Sequence, residues 1–195
     1  LSGMSPKTQL HALLSRSISV IYATPTQLRQ LLSSAISKGV DTITNVRRVL
    51  VGGGKLVEED RARIASLFPT ADVIEFYGTS ETSFVTLAGV GTPAGSVGLP
   101  YPDVDLIISG ATAPLVSGEI KVNSPYLAEA YLGPRTKPVA QPDGYVLTGE
   151  IGYRDASGFL FINGRRDRMI TIADVNVHPE AIEQVVASAG GVEAC

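Results

Sequence analysis

Asp72-Val73-Ile74-Glu75-Phe76-Tyr77-Gly78-Thr79-Ser80-Glu81-Thr82 is the stretch on which the fold turns. Val73 to Phe76 is a short β-branched and aromatic run that reads as a buried strand. It ends in an aromatic ring, a glycine, three hydroxyls and a carboxylate, all within Tyr77 to Thr82. In open α/β sheets ligands bind at the carboxyl ends of strands. A ring face suits a base, hydroxyls suit phosphate oxygens, and a carboxylate suits Mg²⁺. Taken alone, the same stretch reads first as a strand followed by a polar turn.

Reading backwards from Asp72, strands and helices alternate. Ser17 to Ala23 reads as a strand with Ile18, Val20 and Tyr22 on its apolar face. Thr24-Pro25-Thr26-Gln27 supplies a capping hydroxyl, a proline at the first helical position and a glutamine at the capping-box position. Leu28, Leu31, Leu32 and Ala35 then form one helical stripe up to Gly39. Val46 to Val51 is the next strand and runs into Gly52-Gly53-Gly54. Glu58, Glu59 and Asp60 suit a helix first turn, with Val57, Ile64, Leu67 and Phe68 on its inner face and Pro69 as its stop. The order β-α-β-α-β with short links implies a parallel sheet with right-handed crossovers.

Reading forwards from about Ser83, helical periodicity disappears. Short alternating runs such as Val104, Leu106, Ile108 and Ile120, Val122 are punctuated by Asp143-Gly144, Ser157-Gly158 and Asn163-Gly164 as turns. Met169 to Val177 reads as a strand. His178-Pro179 opens a helix with Glu180 and Glu183 early, a stripe of Ile182, Val185, Val186 and Ala189, and Gly190 as its stop. The expected fold is α/β: a parallel β/α subdomain, then an antiparallel β-barrel-like subdomain, then the start of a small α+β carboxyl-terminal domain.

Composition narrows the function. With 195 residues, 44% apolar, 18% charged and a net charge of −3, the chain is globular and carries no long basic run for nucleic acid or an anionic membrane. Its local basic cluster is Arg165, Arg166 and Arg168. The single cysteine, Cys195, cannot make an internal disulfide, and no stretch reaches the ~18 apolar residues of a membrane span. A cytoplasmic setting and a small-molecule partner follow; oligomeric state is not readable. The start at Leu1 and the stop after Gly190-Gly191-Val192-Glu193-Ala194-Cys195 both read as interior to a longer chain.

Four motifs in order, Gly52-Gly53-Gly54-Lys55-Leu56, Tyr77 to Glu81, Thr148-Gly149-Glu150 and Gly164-Arg165-x-Asp167, have minor signatures Val97-Gly98-Leu99-Pro100 and Gly118-Glu119-Ile120 between them. From about Val20 onward the chain resembles the adenylate-forming (AMP-binding) superfamily of acyl-CoA synthetases, aryl-CoA ligases, luciferases and peptide-synthetase adenylation domains. The resemblance implies ATP-dependent activation of a carboxylic acid to an acyl-adenylate, with Mg²⁺, and transfer to CoA. It implies that Gly53 and Gly54 line the adenine and that Glu75 and Phe76 border it. Tyr77 would pack on it, beside Gly78 and Thr79, while Ser80 would contact phosphate and Glu81 would hold Mg²⁺. Glu150 stands where the family has an aspartate accepting the ribose hydroxyls, one methylene longer here. Arg165 would contact ribose and phosphate, and Asp167 would be the hinge between the large and small domains. Each has a plain alternative: a strand-to-helix turn for the glycines, core for Tyr77, a solvated acid for Glu81, a surface pair for Arg165 and Asp167. His178 reads as a helix cap and is given no chemistry, and Cys195 reads as a buried or end residue.

The implied division is 1–90 for part of the α/β subdomain, 91–166 for the β-barrel subdomain, and 167–195 for the hinge and the start of the carboxyl-terminal domain. The family's phosphate loop and its carboxyl-terminal lysine match nothing in this sequence. Lys7, Lys38, Lys55, Lys121 and Lys137 all lie outside the matched positions. The usual loop after the hinge strand is replaced by Ala173-Asp174-Val175, and position 171 is Thr rather than Lys. The chain is therefore expected to be an inactive portion of an acid–CoA ligase. Absence of Gln-Val-Lys after Met169-Ile170 argues against a peptide-synthetase module, and a non-catalytic nucleotide-binding or interaction homologue is the other alternative.

Overall fold

A computed structural model describes residues 4–133, 137–172 and 175–187. The chain divides into two compact units, Leu1–Gly78 with Thr86–Gly98, and Thr79–Val85 with Leu99–Cys195.

The first unit holds α1 (Pro6–Ser15), β1 (Val20–Ala23), α2 (Pro25–Ser37), β2 (Arg48–Val51), α3 (Glu58–Leu67) and most of β3 (Asp72–Thr79). β1 pairs with β2, and β2 with β3, both parallel, as the β-α-β-α-β order requires. The α2 start is a full capping box: Gln27 N–H donates to the Thr24 hydroxyl, and Thr24 N–H donates to the Gln27 side chain. α1 is signalled by its cap, Ser5, and by Pro6 at its start rather than by a long apolar stripe. Leu10, Leu13, Leu28, Leu31, Leu32, Val49, Val51, Ile64, Leu67 and Phe68 form one core against the helix-bearing face of the sheet.

Several sequence expectations shift. β1 is four residues long and its phase is inverted: Ile21 is buried, whereas Val20 and Tyr22 are 50% and 67% exposed. The helix layer lies on the Ile21 side, so one residue of register reverses the inward set. Val46 is buried but precedes β2, which begins at Arg48. Val57 is the N-cap of α3, not part of its inner face, and is exposed. β3 runs past Tyr77 to Thr79.

The connecting strands β4 (Ser83–Ala88) and β5 (Ser96–Pro100) each begin in one unit and end in the other. Inside the first unit the buried Thr86 hydroxyl donates to the Val97 carbonyl at 2.5 Å. Gly98 sits at φ +98°, and a Cβ there would lie 1.8 Å from the Leu87 carbonyl oxygen.

The second unit is antiparallel. β6 (Asp105–Ser109), β7 (Gly118–Asn123), β10 (Val146–Arg154) and β11 (Leu160–Arg165) pair in the order β11-β10-β7-β6, and β8 (Ala130–Tyr131) pairs with β9 (Lys137–Pro138). Leu106, Ile120, Val122, Val146 and Leu160 are buried. Gly144 and Gly158 take the positive φ expected of turns. Asn163-Gly164 does not turn the chain. It lies within β11, where the register slips between Ile151 and Gly152 of β10, so the pair forms a bulge.

Met169 to Val177 is not one strand but two, β12 (Ile170–Ile172) and β13 (Val175–Val177), paired antiparallel, with Ala173 and Asp174 outside the described residues. α4 (Pro179–Ala187) follows His178 as expected, but Ile182, Val185 and Val186 are exposed; Ala189, Gly190 and Cys195 lie outside the described residues. Among the described residues no helix falls between Gly95 and Gly164, and none is long and apolar enough to cross a membrane. The fold is thus α/β, parallel first and antiparallel after.

Glycine packing gives a direct test. Gly98→Ala forces Cβ onto a backbone oxygen in a left-handed conformation and is expected to cost about 3 kcal/mol. Gly54→Ala, whose Cβ would meet only Pro25 at 3.6 Å, should cost well under about 1 kcal/mol. Urea unfolding of both variants checks the contrast.

Candidate functional site

In the first unit, the glycine turn after β2 meets the end of β3. Gly52 is the sterically required member: a Cβ there would fall 2.2–2.6 Å from the Phe76 ring. Gly53 has φ +78°, and Gly54 has room for a methyl group. Gly53 and Gly54 are exposed, so their backbone is open to a ligand, whereas Gly52 is buried under Phe76. Phe76 in turn stacks on Tyr22 with ring centroids 5.5 Å apart.

Glu75 and Tyr77 alternate with Phe76 and lie on the opposite face of β3. Glu75 is 4% exposed and accepts hydrogen bonds from Leu56 N–H at 3.1 Å and from the Arg61 guanidinium at 2.8 Å. Its carboxylate thereby ties the glycine-turn segment to α3. Burial pushes the Glu75 carboxyl above the ordinary range, against the lowering effects of Leu56 N–H and Arg61. Tyr77 is buried, and Gly78 is half-buried.

In the second unit, Thr79 to Thr82 form a self-bonded turn. The Thr79 hydroxyl accepts from Glu81 N–H and Thr82 N–H, each at 3.2 Å, and the buried Thr82 hydroxyl accepts from Thr79 N–H at 3.0 Å. Ser80 is exposed at its tip. Glu81 is half-buried, accepts from the Tyr131 hydroxyl at 3.1 Å, and through its main-chain carbonyl accepts from Ala128 N–H at 2.8 Å. The Thr79 hydroxyl, the local backbone, Tyr131 and the Arg165 charge hold the Glu81 carboxyl below the usual carboxylate range.

Glu150 and Arg165 are cross-strand partners in the β10–β11 ladder. The preceding Gly149 has φ +76°, and a Cβ there would come 3.8 Å from the Arg165 guanidinium. Arg165 also pairs with Asp167 at 2.9 Å, which lowers the Asp167 carboxyl. Both are more than half exposed, so the pair is worth ~0 to 1 kcal/mol. Asp167 occupies a single 3₁₀ turn, Arg166–Arg168, leading out of β11.

The structure therefore brings Glu81, Glu150, Arg165 and Asp167 into one unit, and Gly53, Gly54, Glu75, Phe76 and Tyr77 into the other. Tyr131 and Thr82 are the residues the sequence reading misses. Thr82 was inside the quoted stretch, but its role is a buried hydroxyl bond that spacing does not reveal. Tyr131 lies in a non-periodic segment with no local signal. Among the described residues no three His, Cys, Asp or Glu side chains cluster as a metal cage. His178 has a buried Nδ1 without a hydrogen-bond partner among the described residues.

The model of the AMP-binding enzyme family matches residues 2–132. The uncharacterized acyl-CoA ligase YhfT of Bacillus subtilis (strain 168) is 30% identical over 200 residues, covering 99% of this chain and 40% of the relative. The 2-succinylbenzoate-CoA ligase of Lactococcus lactis subsp. lactis (strain IL1403) is 32% identical over 156 residues, covering 77% of this chain and 33% of the relative. Among solved structures, O-succinylbenzoate coenzyme A synthetase (MenE) of Bacillus subtilis, in complex with ATP and magnesium ion, superposes with a TM-score of 0.83 at 26% identity, over 98% of this chain and 41% of that one. The chain spans about two fifths or less of the length of these relatives. With motif order, fold and matches in agreement, the chain belongs to the AMP-binding enzyme family, within the adenylate-forming superfamily.

Proposed function

We propose that the protein carrying this chain is an AMP-forming acid–thiol ligase that converts a carboxylic acid and ATP to an acyl-adenylate and passes the acyl group to CoA. One observation carries the reading: Arg165 of the last motif sits opposite Glu150 of the third in the β10–β11 ladder, with Glu81 of the second in the same unit. Motifs far apart in sequence thus converge on groups suited to a nucleotide. The naming of the relatives as CoA ligases supports the same activity.

In the first half-reaction an oxygen of the acid attacks the α-phosphorus and the bond to pyrophosphate breaks; in the second the thiol attacks the acyl carbon and AMP leaves. The backbone of Gly53 and Gly54 and the ring of Tyr77 hold the adenine, with Phe76 bordering it and Glu75 bracing the turn through Leu56. Glu150 accepts from the ribose hydroxyls, and Arg165 donates to ribose and phosphate with a forked guanidinium. Ser80, exposed at the turn tip, donates to phosphate.

A lone carboxylate is a fitting protein ligand for Mg²⁺, which keeps several waters and takes phosphate oxygens for the rest. Glu81 is that carboxylate, and the hydrogen bonds that hold it ionised favour cation binding. When bound, the ion supplies charge neutralisation at the phosphates. Asp167, at the turn out of β11, is the hinge about which residues 167–195, the start of the small domain, reorient between half-reactions.

Two experiments test this. In the complete protein, Glu81→Gln should lower pyrophosphate exchange by about 100-fold or more while leaving AMP binding nearly intact, and Tyr77→Ala should weaken AMP binding by about tenfold. Similar small losses from both would leave only a packing role for these residues. The isolated 195-residue chain, whose lysines all fall outside the matched catalytic positions, should show no ATP–pyrophosphate exchange with any acid of a panel.

Glu75 gives the first unit one pH-dependent contribution to its stability. A carboxyl raised by burial contributes stability that is complete below its unfolded value of 4.5 and is lost as pH rises through the higher folded value. Glu75→Gln should flatten that part of the curve, so the stability difference between variant and wild type should grow in the variant's favour above pH 4.5. Urea midpoints measured against pH check the sign.

A further inference from the structure

We infer that Tyr131 is a positioning residue for the Glu81 carboxylate, fixing the orientation in which it meets a divalent cation. The inference rests on the reading of Glu81 as the Mg²⁺ carboxylate.

A glutamate side chain turns about three bonds, so a carboxylate at a turn tip has many orientations and only a few present an oxygen to a cation. Glu81 is held at two points by one segment. Ala128 N–H donates to its main-chain carbonyl at 2.8 Å, and three residues later the Tyr131 hydroxyl donates to its Oε1 at 3.1 Å. That segment is itself anchored, because Tyr131 pairs with Lys137 and Ala130 with Pro138 in the β8–β9 ladder. A carboxylate has about four lone-pair sites, so the Tyr131 phenol, together with the Thr79 hydroxyl and the local backbone, still leaves capacity for a cation.

A purely structural role accounts poorly for this tyrosine. It is 52% exposed, so its ring contributes little core. A hydrogen bond open to water also adds little net stability. What the bond does accomplish is orientation, and partners that orient a metal ligand typically change metal affinity by about 10 to 100-fold.

The test uses Mn²⁺ as a paramagnetic stand-in for Mg²⁺, titrated by electron paramagnetic resonance into the complete protein with a non-hydrolysable ATP analogue. Wild type, Tyr131→Phe and Glu81→Gln are compared, together with AMP affinity in EDTA and the melting temperature. Tyr131→Phe should weaken Mn²⁺ binding by about tenfold, with metal-free AMP affinity and melting unchanged. Unchanged Mn²⁺ affinity in Tyr131→Phe, with a loss in Glu81→Gln, would overturn the positioning role and leave the metal reading standing. Unchanged affinity in Glu81→Gln would remove the metal reading and the positioning role with it. An equal fall in metal-free AMP affinity in Tyr131→Phe would mark general damage and would also overturn the inference.

Discussion

The turn Thr79 to Thr82 is closed by its own threonine hydroxyls, and much of the functional geometry depends on that closure. Three backbone N–H groups donate to two threonine hydroxyls, and the hydroxyls lie 3.1 Å apart. Thr82 is fully buried, so an unbonded hydroxyl there would be costly. The chain leaves the turn through Ser83 at φ +56°, a left-handed conformation that costs a non-glycine residue about 1 kcal/mol. Three hydrogen bonds at about 1 kcal/mol each outweigh that. The turn therefore fixes the backbone at Glu81 and the start of β4.

A second polar tie works beneath the parallel sheet. Asp60 and Glu75 are both buried acids, paired with Arg29 and Arg61 respectively. Each links neighbouring elements: Arg29 of α2 to Asp60 of α3, and Arg61 of α3 to Glu75 of β3. Apolar packing drives α2 and α3 onto the sheet without specifying how far each slides along it. Ion pairs with fixed geometry can set that register at little net gain in stability. Glu75 also accepts from Leu56 N–H, so the sliding of α3 is coupled to the segment just after Gly54. The glycine turn and the helix cannot move independently.

What could be read from the sequence follows from the range of the signal. The α2 helix was legible to its cap because Thr24, Pro25 and Gln27 act within four residues, and the parallel-then-antiparallel order was legible from periodicity. The inward face of β1 was misread because four residues carry too little alternation to show which side faces the helices, and Ile21 rather than Tyr22 faces them. Asn163-Gly164 was misread because the same dipeptide serves a turn or a bulge, and only the partner strand decides. Among candidate site residues, those within motifs were legible as types but not as contacts. Glu75 turned out to bind Arg61 and Leu56, and Tyr131 was invisible because its partner lies far away in sequence.

The three arginines after Gly164 show how little a local charge run says about partners. Arg165 pairs with Asp167, Arg166 with Glu119 of β7, and Arg168 with Glu183 of α4. A surface for nucleic acid needs cations whose charge is available to release counterions from phosphates. Here each guanidinium faces a carboxylate, so the local field is nearly neutral. The pairs point to three different elements: the turn itself, the antiparallel sheet and α4. Arg166–Glu119 lies wholly before Asp167 and Arg168–Glu183 wholly after it, so of the three pairs only Arg165–Asp167 is disturbed by a rotation at Asp167. Because Arg165 and Asp167 are 53% and 67% exposed, breaking that pair costs little in water. A single weak, exposed pair beside a short 3₁₀ turn leaves such a rotation nearly unopposed, which suits the hinge proposed at Asp167.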